Sequence, residues 1–410
     1  MPQVQRISWY ISLALAIGLS SSRAVLSIGT VLLFILALWH WNQTGRRFPH
    51  RGQSWRLMTL GVVVMFSLPI LGLLHSDNLS EGLESIYRKL PLGLLLFSYW
   101  VLPRFTPRQM KTLALVFVLT QLTIGLASLV VHWFWPSWLI EARVGGRIPA
   151  ITGVSHIYYG VILAYSNFLA FYFYWRQRKL KGIETRIWGV SAFVGVLIIH
   201  LYASRTGLIA WYSGLTMLLI YLMAYRKRWW LGLGLFIGLI GMSWLANQVP
   251  LIESKVQESI SDLYSFQSKD QDLSYRSASL RLLAWSNAIE IIFESPWIGT
   301  GIADVEAQME LNYQHNGSYS RARSPLLNPH NQYLTYLIAF GIPGLALLLA
   351  VIFIPIFALR GPPMALGFCM SGVLLASLMF ENILERQIGM TFFCVIYLWL
   401  PFWQYTDEIS

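Results

Sequence analysis

The chain alternates between long apolar runs and short polar connections, and most of the apolar runs are long enough to cross a bilayer as helices. The run that starts at Ile7 is not followed by a small-residue cleavage site, so it is interpreted as a retained first span. Twelve spans are predicted, at residues 7–22, 24–41, 57–74, 90–102, 112–135, 157–175, 187–203, 207–225, 229–247, 342–359, 364–380 and 389–403.

One polar connection, residues 248–330, is much longer than an ordinary loop. Within it, residues 279–293 carry apolar side chains at helical spacing and lead into Ser295-Pro296, so a helix is predicted there. Gly299-Thr300-Gly301 predicts a turn, and residues 312–324, which are polar and rich in Asn, Ser and Arg, are expected to be mobile.

The apolar stretch 331–340 is too short to span a membrane. It predicts a half-helix that turns at Gly341-Ile342-Pro343-Gly344, with Asn328 as its cap and Pro329 in its first turn. The chain therefore divides into helices at 1–247, a large loop region with the half-helix at 248–340, and the last helices at 341–410.

Composition supports this pattern, because 56% of the residues are hydrophobic and only 12% are charged, against about 25% charged in soluble domains. The predicted class is an all-α integral membrane protein. Cys369 and Cys394 both fall in apolar runs, which indicates buried thiols and argues against a disulfide or a metal site.

Basic residues concentrate in the connections at 42–56, 103–111, 176–186 and 226–228. The positive-inside rule then places both termini in the cytoplasm and residues 248–330 outside. The net charge of +11 is thereby explained by topology, and nucleic acid is not an expected partner.

His330 stands where the long outer loop meets apolar sequence, and a titratable side chain at such a position is a candidate functional residue. It is interpreted either as a general base or as a histidine bonded to local backbone. Asn331, the next residue, is a further candidate for substrate binding.

Three arginines are candidates for binding a phosphate, because a guanidinium keeps its charge when desolvated. Arg205 lies in a tight connection between two spans, and it is interpreted either as a phosphate ligand or as a side chain that reaches lipid headgroups. For Arg276 and Arg281, the alternative interpretation is that they are solvated charges on the polar face of an amphipathic helix.

Weaker substrate-binding candidates are Arg88, Lys89, Arg147 and Glu385. Glu385 lies with Glu381 and Arg386 in an outer hairpin of two spans, where an internal ion pair is the favoured explanation. The sequence shows no paired acids or His/Cys cluster for a metal and no Gly-rich nucleotide motif, so neither a metal nor another cofactor is expected.

The second half of the chain carries several short motifs at outer positions, in a fixed order. They are Ser204-Arg205-Thr206-Gly207, Arg281 with Trp285, Pro296 with Gly299-Thr300-Gly301, His330-Asn331 before Gly341-Ile342-Pro343-Gly344, and Leu384-Glu385-Arg386-Gln387. Together they resemble the O-antigen ligase/polymerase superfamily over most of residues 190–400, whereas the first half is similar only in hydropathy.

The resemblance implies a GT-C-like helical bundle in the bacterial inner membrane, with its active site facing the periplasm. It implies transfer of a glycan from undecaprenyl diphosphate to an acceptor sugar hydroxyl, with His330 as base and Arg205, Arg281 and Arg276 on the diphosphate. The implied donor is a lipid-linked O-antigen and the implied acceptor is lipid A-core, in a metal-independent, inverting reaction.

Chain length and the single large outer loop favour a ligase over a polymerase of the same donor chemistry. A lipid-linked glycan transporter is an alternative of another class, although no inverted repeat is evident. A peptidoglycan glycosyltransferase with an acidic residue in its outer loop is a third, and Asp262, Asp270, Asp272 and Asp304 are available for it.

Overall fold

The computed structural model describes residues 2–134, 150–202, 204–227, 277–318 and 326–407, with isolated positions between 229 and 266. In these residues the regular structure is helical throughout. The α-helices of the continuous ranges are α1 (Pro2–Ser21), α2 (Arg23–Gln43), α3 (Gln53–Gly72), α4 (Leu79–Val101), α5 (Pro107–Phe134), α6 (His156–Gln177), α7 (Ile183–Tyr202), α8 (Arg205–Ala224), α9 (Ser277–Glu294), α10 (Val305–His315), α11 (Gln332–Ala358), α12 (Met364–Phe380) and α13 (Gln387–Asp407).

The described part contains seven helices that are long and apolar enough to cross a membrane, namely α2, α3, α5, α6, α7, α8 and α11. The helices α12 and α13 add two shorter apolar segments. An all-α membrane protein is thereby confirmed. The number of twelve spans stays a prediction, and the ninth predicted span, 229–247, lies largely outside the described residues.

Close contact between α8 and α12 sets the arrangement around the site. A Cβ at Gly372 would lie 2.6 Å from the carbonyl oxygen of Ser213, so glycine permits the helix backbones to meet. The Tyr221 and Phe368 rings lie 5.5 Å apart near the other ends of these helices. The two helices are therefore antiparallel, and the first residue of α8 and the last residue of α12 lie at the same end of the bundle.

The segment that contains α9 and α10 is attached to that end of the bundle. Asp304 accepts hydrogen bonds from the backbone N–H groups of Asp77 (2.9 Å) and Asn78 (3.2 Å) in the α3–α4 connection. Asp304 is buried, so this carboxylate is engaged in joining two segments. Asp262, Asp270 and Asp272 lie outside the described residues.

The helix predicted at 279–293 is confirmed as α9. The polar stretch 312–324 begins with four residues that end α10. The Asn312 side chain donates to Asn287 Oδ1 (3.1 Å) and Glu290 Oε2 (2.9 Å) on α9. A polar sequence becomes helical here because its amides are bonded to a neighbouring helix.

The predicted break at Gly341 is confirmed, since this residue has φ 62° and ψ −162° inside α11. The carbonyls of Ile338 and Ala339, which precede the break, accept from the N–H groups of Thr300 (2.7 Å) and Gly301 (3.1 Å). The turn that follows α9 therefore satisfies the backbone groups that the break leaves without helical partners.

Candidate functional site

His330 lies in a short, constrained turn directly before α11. It has φ 49°, a left-handed conformation that costs a residue other than glycine about 1–2 kcal/mol. Its N–H donates to Asn328 Oδ1 (2.9 Å), and Trp285 Nε1 on α9 donates to the carbonyl of Pro329 (2.9 Å). These two bonds hold the strained backbone, and backbone strain of this kind is concentrated at functional sites.

The cap of α11 differs from the predicted one. Asn331, not Asn328, is the N-cap, and its side chain accepts from the N–H groups of Tyr333 (3.0 Å) and Leu334 (3.3 Å). Asn328 is engaged in the turn with His330, and α11 begins only at Gln332. The helix cap therefore adjoins the imidazole and determines where it projects.

The imidazole of His330 is hydrogen-bonded to the carboxylate of Glu381, the residue directly after α12. His330 Nδ1 lies 3.0 Å from Glu381 Oε1, and the side chains are 33% and 12% exposed. An ionised carboxylate only accepts hydrogen bonds, so Nδ1 carries the proton of this bond. In the neutral ring Nε2 is then the nitrogen with a lone pair, which is the state that a general base requires.

The environment of Glu381 keeps it ionised. Burial disfavours its charged form, but the hydrogen bond from His330 and the positive charges of His330 and Arg281 outweigh burial and lower the pKa of Glu381. Arg281 on α9 thus interacts electrostatically with Glu381. The structure brings together two of the predicted site residues and a carboxylate.

Lys89 and Glu385 form a buried ion pair next to this site. Lys89 Nζ donates to Glu385 Oε1 (3.0 Å), with the two side chains 1% and 16% exposed. Gln332 Nε2 donates to the same oxygen (3.0 Å), and Gln332 Oε1 accepts from the N–H of Leu384 (3.0 Å). This arrangement joins α4, the start of α11 and the turn before α13, so the ion pair of Glu385 reaches α4 instead of lying within the hairpin.

Asn382 connects the turn of His330 to the same hairpin. Its Nδ2 donates to Asn328 Oδ1 (2.6 Å) and to Thr335 Oγ1 (2.8 Å). One amide therefore contacts both the residue that shapes the turn and the first turn of α11. Sequence reasoning did not single out Asn382, although it lies directly after Glu381.

Tyr158 is a second residue that sequence reasoning missed. It lies in the first turn of α6, and its hydroxyl interacts electrostatically with Glu381, Glu385, Arg386 and Arg23. Nothing in the sequence around Tyr158 marks it, because its neighbours in the site come from distant segments.

Arg205 begins α8, and the motif around it has a clear structural explanation. Ser204 is the N-cap of α8, and its Oγ also donates to the carbonyl of His156 (3.3 Å). A Cβ on Gly207 would lie 2.9 Å from Gly160 Cα, so the glycine permits α8 to cross α6. These contacts leave Arg205 exposed at the end of the bundle where Glu381 lies.

A cavity of about 250 Å³ adjoins the site, between α4, α10 and the turn of His330. Asn328, Thr335 and Glu385 form its inner wall, whereas Glu306 and Glu310 on α10 line the opposite side. Arg88 also lines the cavity and forms an exposed ion pair with Glu84 (2.6 Å). The cavity thus combines several carboxylates with apolar side chains such as Ile302 and Leu327.

The predicted phosphate ligand Arg276 and the weaker substrate-binding candidate Arg147 lie outside the described residues. Within the ranges that the structure describes, no group of three or more His, Cys, Asp or Glu residues could hold a metal ion.

Residues 189–349 match the family model described as O-antigen ligase. The matched segment runs from α7 into α11 and contains Arg205, Arg281 and His330. Glu381 and Glu385 lie beyond its end. A search of curated proteins found no match to the chain.

Proposed function

Because residues 189–349 place the chain in the O-antigen ligase superfamily, we propose that it is a membrane glycosyltransferase that moves a glycan from undecaprenyl diphosphate to an acceptor sugar hydroxyl. The family indicates ligase- or polymerase-type activity on lipid-linked glycans. The observation that carries the proposal is the hydrogen bond between His330 Nδ1 and Glu381, which leaves Nε2 as the basic nitrogen.

In the proposed reaction, the acceptor hydroxyl oxygen attacks the anomeric carbon of the donor. The bond from that carbon to the phosphate oxygen breaks, and its electron pair leaves with undecaprenyl diphosphate. The hydroxyl proton passes to His330 Nε2, and Glu381 stabilises the imidazolium that forms. A single displacement of this kind inverts the anomeric centre.

Arg281 and Arg205 are proposed to bind the diphosphate, with Arg276 as a further candidate. The departing diphosphate gains negative charge in the transition state, and arginine offers a planar set of donors that matches phosphate oxygens. The support is placement: Arg281 interacts electrostatically with Glu381, and Arg205 lies exposed at the same end of the bundle.

The acceptor sugar is proposed to enter the cavity of about 250 Å³ beside Asn328. This volume lies below the roughly 300–1,000 Å³ of most ligand pockets, so it suits the end of an acceptor glycan. Glu306 and Glu310 can accept hydrogen bonds from sugar hydroxyls there. Arg88 and Asn331 remain candidates for contacts at its rim.

We favour O-antigen ligation to lipid A-core over polymerisation, on the single large outer segment before His330. The protein would then act in lipopolysaccharide synthesis at the periplasmic face of the inner membrane, with both termini cytoplasmic. A polymerase would use the same donor and site but would extend a lipid-linked chain.

The proposal is tested by glycan transfer in vitro. The purified protein is mixed with undecaprenyl-diphosphate-linked O-antigen and lipid A-core in the presence of EDTA, and the His330→Ala and Arg205→Ala variants are compared with wild type. We expect transfer to lipid A-core to survive EDTA, and His330→Ala to lower kcat about 10²–10⁴-fold because the base is lost.

The matched controls are His315→Ala, an exposed histidine of α10, and Arg360→Ala, an exposed arginine at the other end of the bundle. Both controls are expected to keep wild-type rates. Elongation of the lipid-linked glycan without transfer to lipid A-core would identify a polymerase. Wild-type rates in both site variants, or transport of the lipid-linked glycan without transfer, would contradict the proposed site.

A further inference from the structure

A second cavity, of about 630 Å³, opens at the end of the bundle opposite to His330. It lies between the beginning of α5, the end of α6 and the beginning of α7, with Trp403 of α13 behind it. The His330 site is at the opposite ends of these helices, next to the beginnings of α6 and α8. The two sites are therefore separated by the length of the helices.

The charged side chains of this cavity are predominantly basic. Arg108 and Lys111 on α5 and Arg176 on α6 line it, together with one acid, Glu184 on α7. Glu184 forms an ion pair with Lys111. Arg108 and Arg176 are exposed, so the described lining presents two further guanidinium groups beside this pair.

Below the charges, the wall is apolar and aromatic. Phe173 and Trp188 stack with ring centroids 4.7 Å apart, and both are buried. Leu115, Tyr172 and Ile187 extend this wall along the helices. A charged opening above an apolar wall matches an amphiphile whose headgroup is anionic and whose chains are apolar.

We propose that this cavity binds an anionic glycerophospholipid, with its phosphate on Arg108 and Arg176 and the upper part of its acyl chains against Phe173 and Trp188. Basic pockets between membrane helices recognise phosphate headgroups through the same combination of positive charge and a position between helices. A free inorganic anion would use the charges but not the wall. The proposal does not rest on the glycosyltransferase activity, because the two sites lie at opposite ends.

The test is native mass spectrometry of the full chain, released from micelles that contain phosphatidylglycerol or phosphatidylethanolamine. Wild type is expected to retain phosphatidylglycerol in preference to phosphatidylethanolamine. The double variant R108Q/R176Q is expected to lose that preference, with retention lowered about tenfold or more. Glycerol 1-phosphate, which has the headgroup charge but no acyl chains, is added as a competitor and is expected to leave retention unchanged.

The matched control is the double variant K179Q/R186Q, which removes two exposed charges near the same end of α6 and α7 but outside the cavity lining. It is expected to keep the wild-type preference. An equal loss in the control would show general surface attraction and overturn the site. Equal retention of both lipids by wild type, or displacement of the lipid by glycerol 1-phosphate, would also overturn the proposal. The comparison of the two lipids on wild type does not depend on how any variant folds.

Discussion

The partner of each functional side chain decides its chemistry. His330 is bonded through Nδ1 to Glu381, which lies 51 residues later in the chain. A hydrogen bond from His330 to a nearby backbone carbonyl would have fitted the alternative that this histidine has only a structural role. A carboxylate in that position instead fixes the tautomer, so that Nε2 can accept a proton. It also stabilises the imidazolium that forms once the proton has been accepted.

The lowered pKa of Glu381 predicts a pH-dependent contribution to stability. That contribution is present above the ordinary glutamate pKa, about 4.3, and is lost as the pH falls through the lower pKa of the folded state. We expect Glu381→Gln to reduce the loss of Tm on acidification, measured by thermal unfolding across this range.

The control for this measurement is Glu294→Gln, a change at an exposed glutamate near the end of α9. It is expected to keep the acid sensitivity of wild type. If Glu381→Gln were as acid-sensitive as wild type, the pair would not contribute to stability in the assigned way.

The buried pair of Lys89 and Glu385 predicts a strong asymmetry between single and double substitution. Lys89→Met leaves the Glu385 carboxylate buried without its cation, and we expect a cost of about 3–5 kcal/mol in stability. The double variant Lys89→Met with Glu385→Gln removes both charges and should recover much of that cost.

The measurement is the free energy of unfolding of the two variants in detergent. Full stability of Lys89→Met, combined with lost activity, would show instead that Lys89 is a substrate ligand. That outcome would return Lys89 and Glu385 to the candidate binding residues that the sequence suggested.

At the level of helices, the site depends on the break in α11. The residues before Gly341 form a short helix whose last carbonyls accept hydrogen bonds from Thr300 and Gly301. Its Tyr333 hydroxyl donates to the carbonyl of Leu375 (2.8 Å) on α12. His330 thus lies at the start of a short helix that is held in position by two contacts. One is with the turn after α9, and the other is with α12. Hydropathy indicated the break, but the partners that stabilise it are distant in sequence.

Gly341→Ala is expected to disturb both this break and the site. The residue has φ 62°, which costs alanine about 1–2 kcal/mol, and an added Cβ would lie 2.5 Å from the backbone of Trp297. The clash adds about 1–3 kcal/mol. We expect a fall in unfolding free energy and, because the short helix carries His330, a fall in transfer rate.

Gly317→Ala separates the two causes, because Gly317 has φ 70° but no atom of the described residues lies within 4 Å of an added Cβ. It should show only the conformational cost and keep its activity. Equal effects of the two substitutions would mean that the contact between Gly341 and Trp297 is unimportant.

For the whole molecule, the arrangement of helix ends separates two chemically different faces. Polar and acidic groups, with His330 and its cavity, are concentrated at one end, whereas the basic cavity lies at the other. The positive-inside rule predicts that the basic end faces the cytoplasm. The proposed diphosphate donor would then react at the opposite end, outside the cytoplasm.

This topology predicts the labelling of single cysteines in intact cells by a membrane-impermeant maleimide. Gly317→Cys, in the outer segment, should react directly, and Gly182→Cys, between α6 and α7, should react only after permeabilisation. Both glycines have open space around them, and the native Cys369 and Cys394 are buried and give little background. The reverse pattern would invert the assigned orientation.

The membrane class, the helix at 279–293 and the break at Gly341 could be predicted from the sequence, because each depends on the local order of apolar and polar residues and on nearby glycines and prolines. The motifs singled out His330, Arg205 and Arg281 as outer candidates. Only the tertiary structure decided that His330 pairs with Glu381. The same holds for Lys89 and Glu385, which lie 296 residues apart in the chain. A hydrogen bond is made between atoms a few ångströms apart, and only the packing of α4, α9, α11 and α12 brings these atoms to that distance.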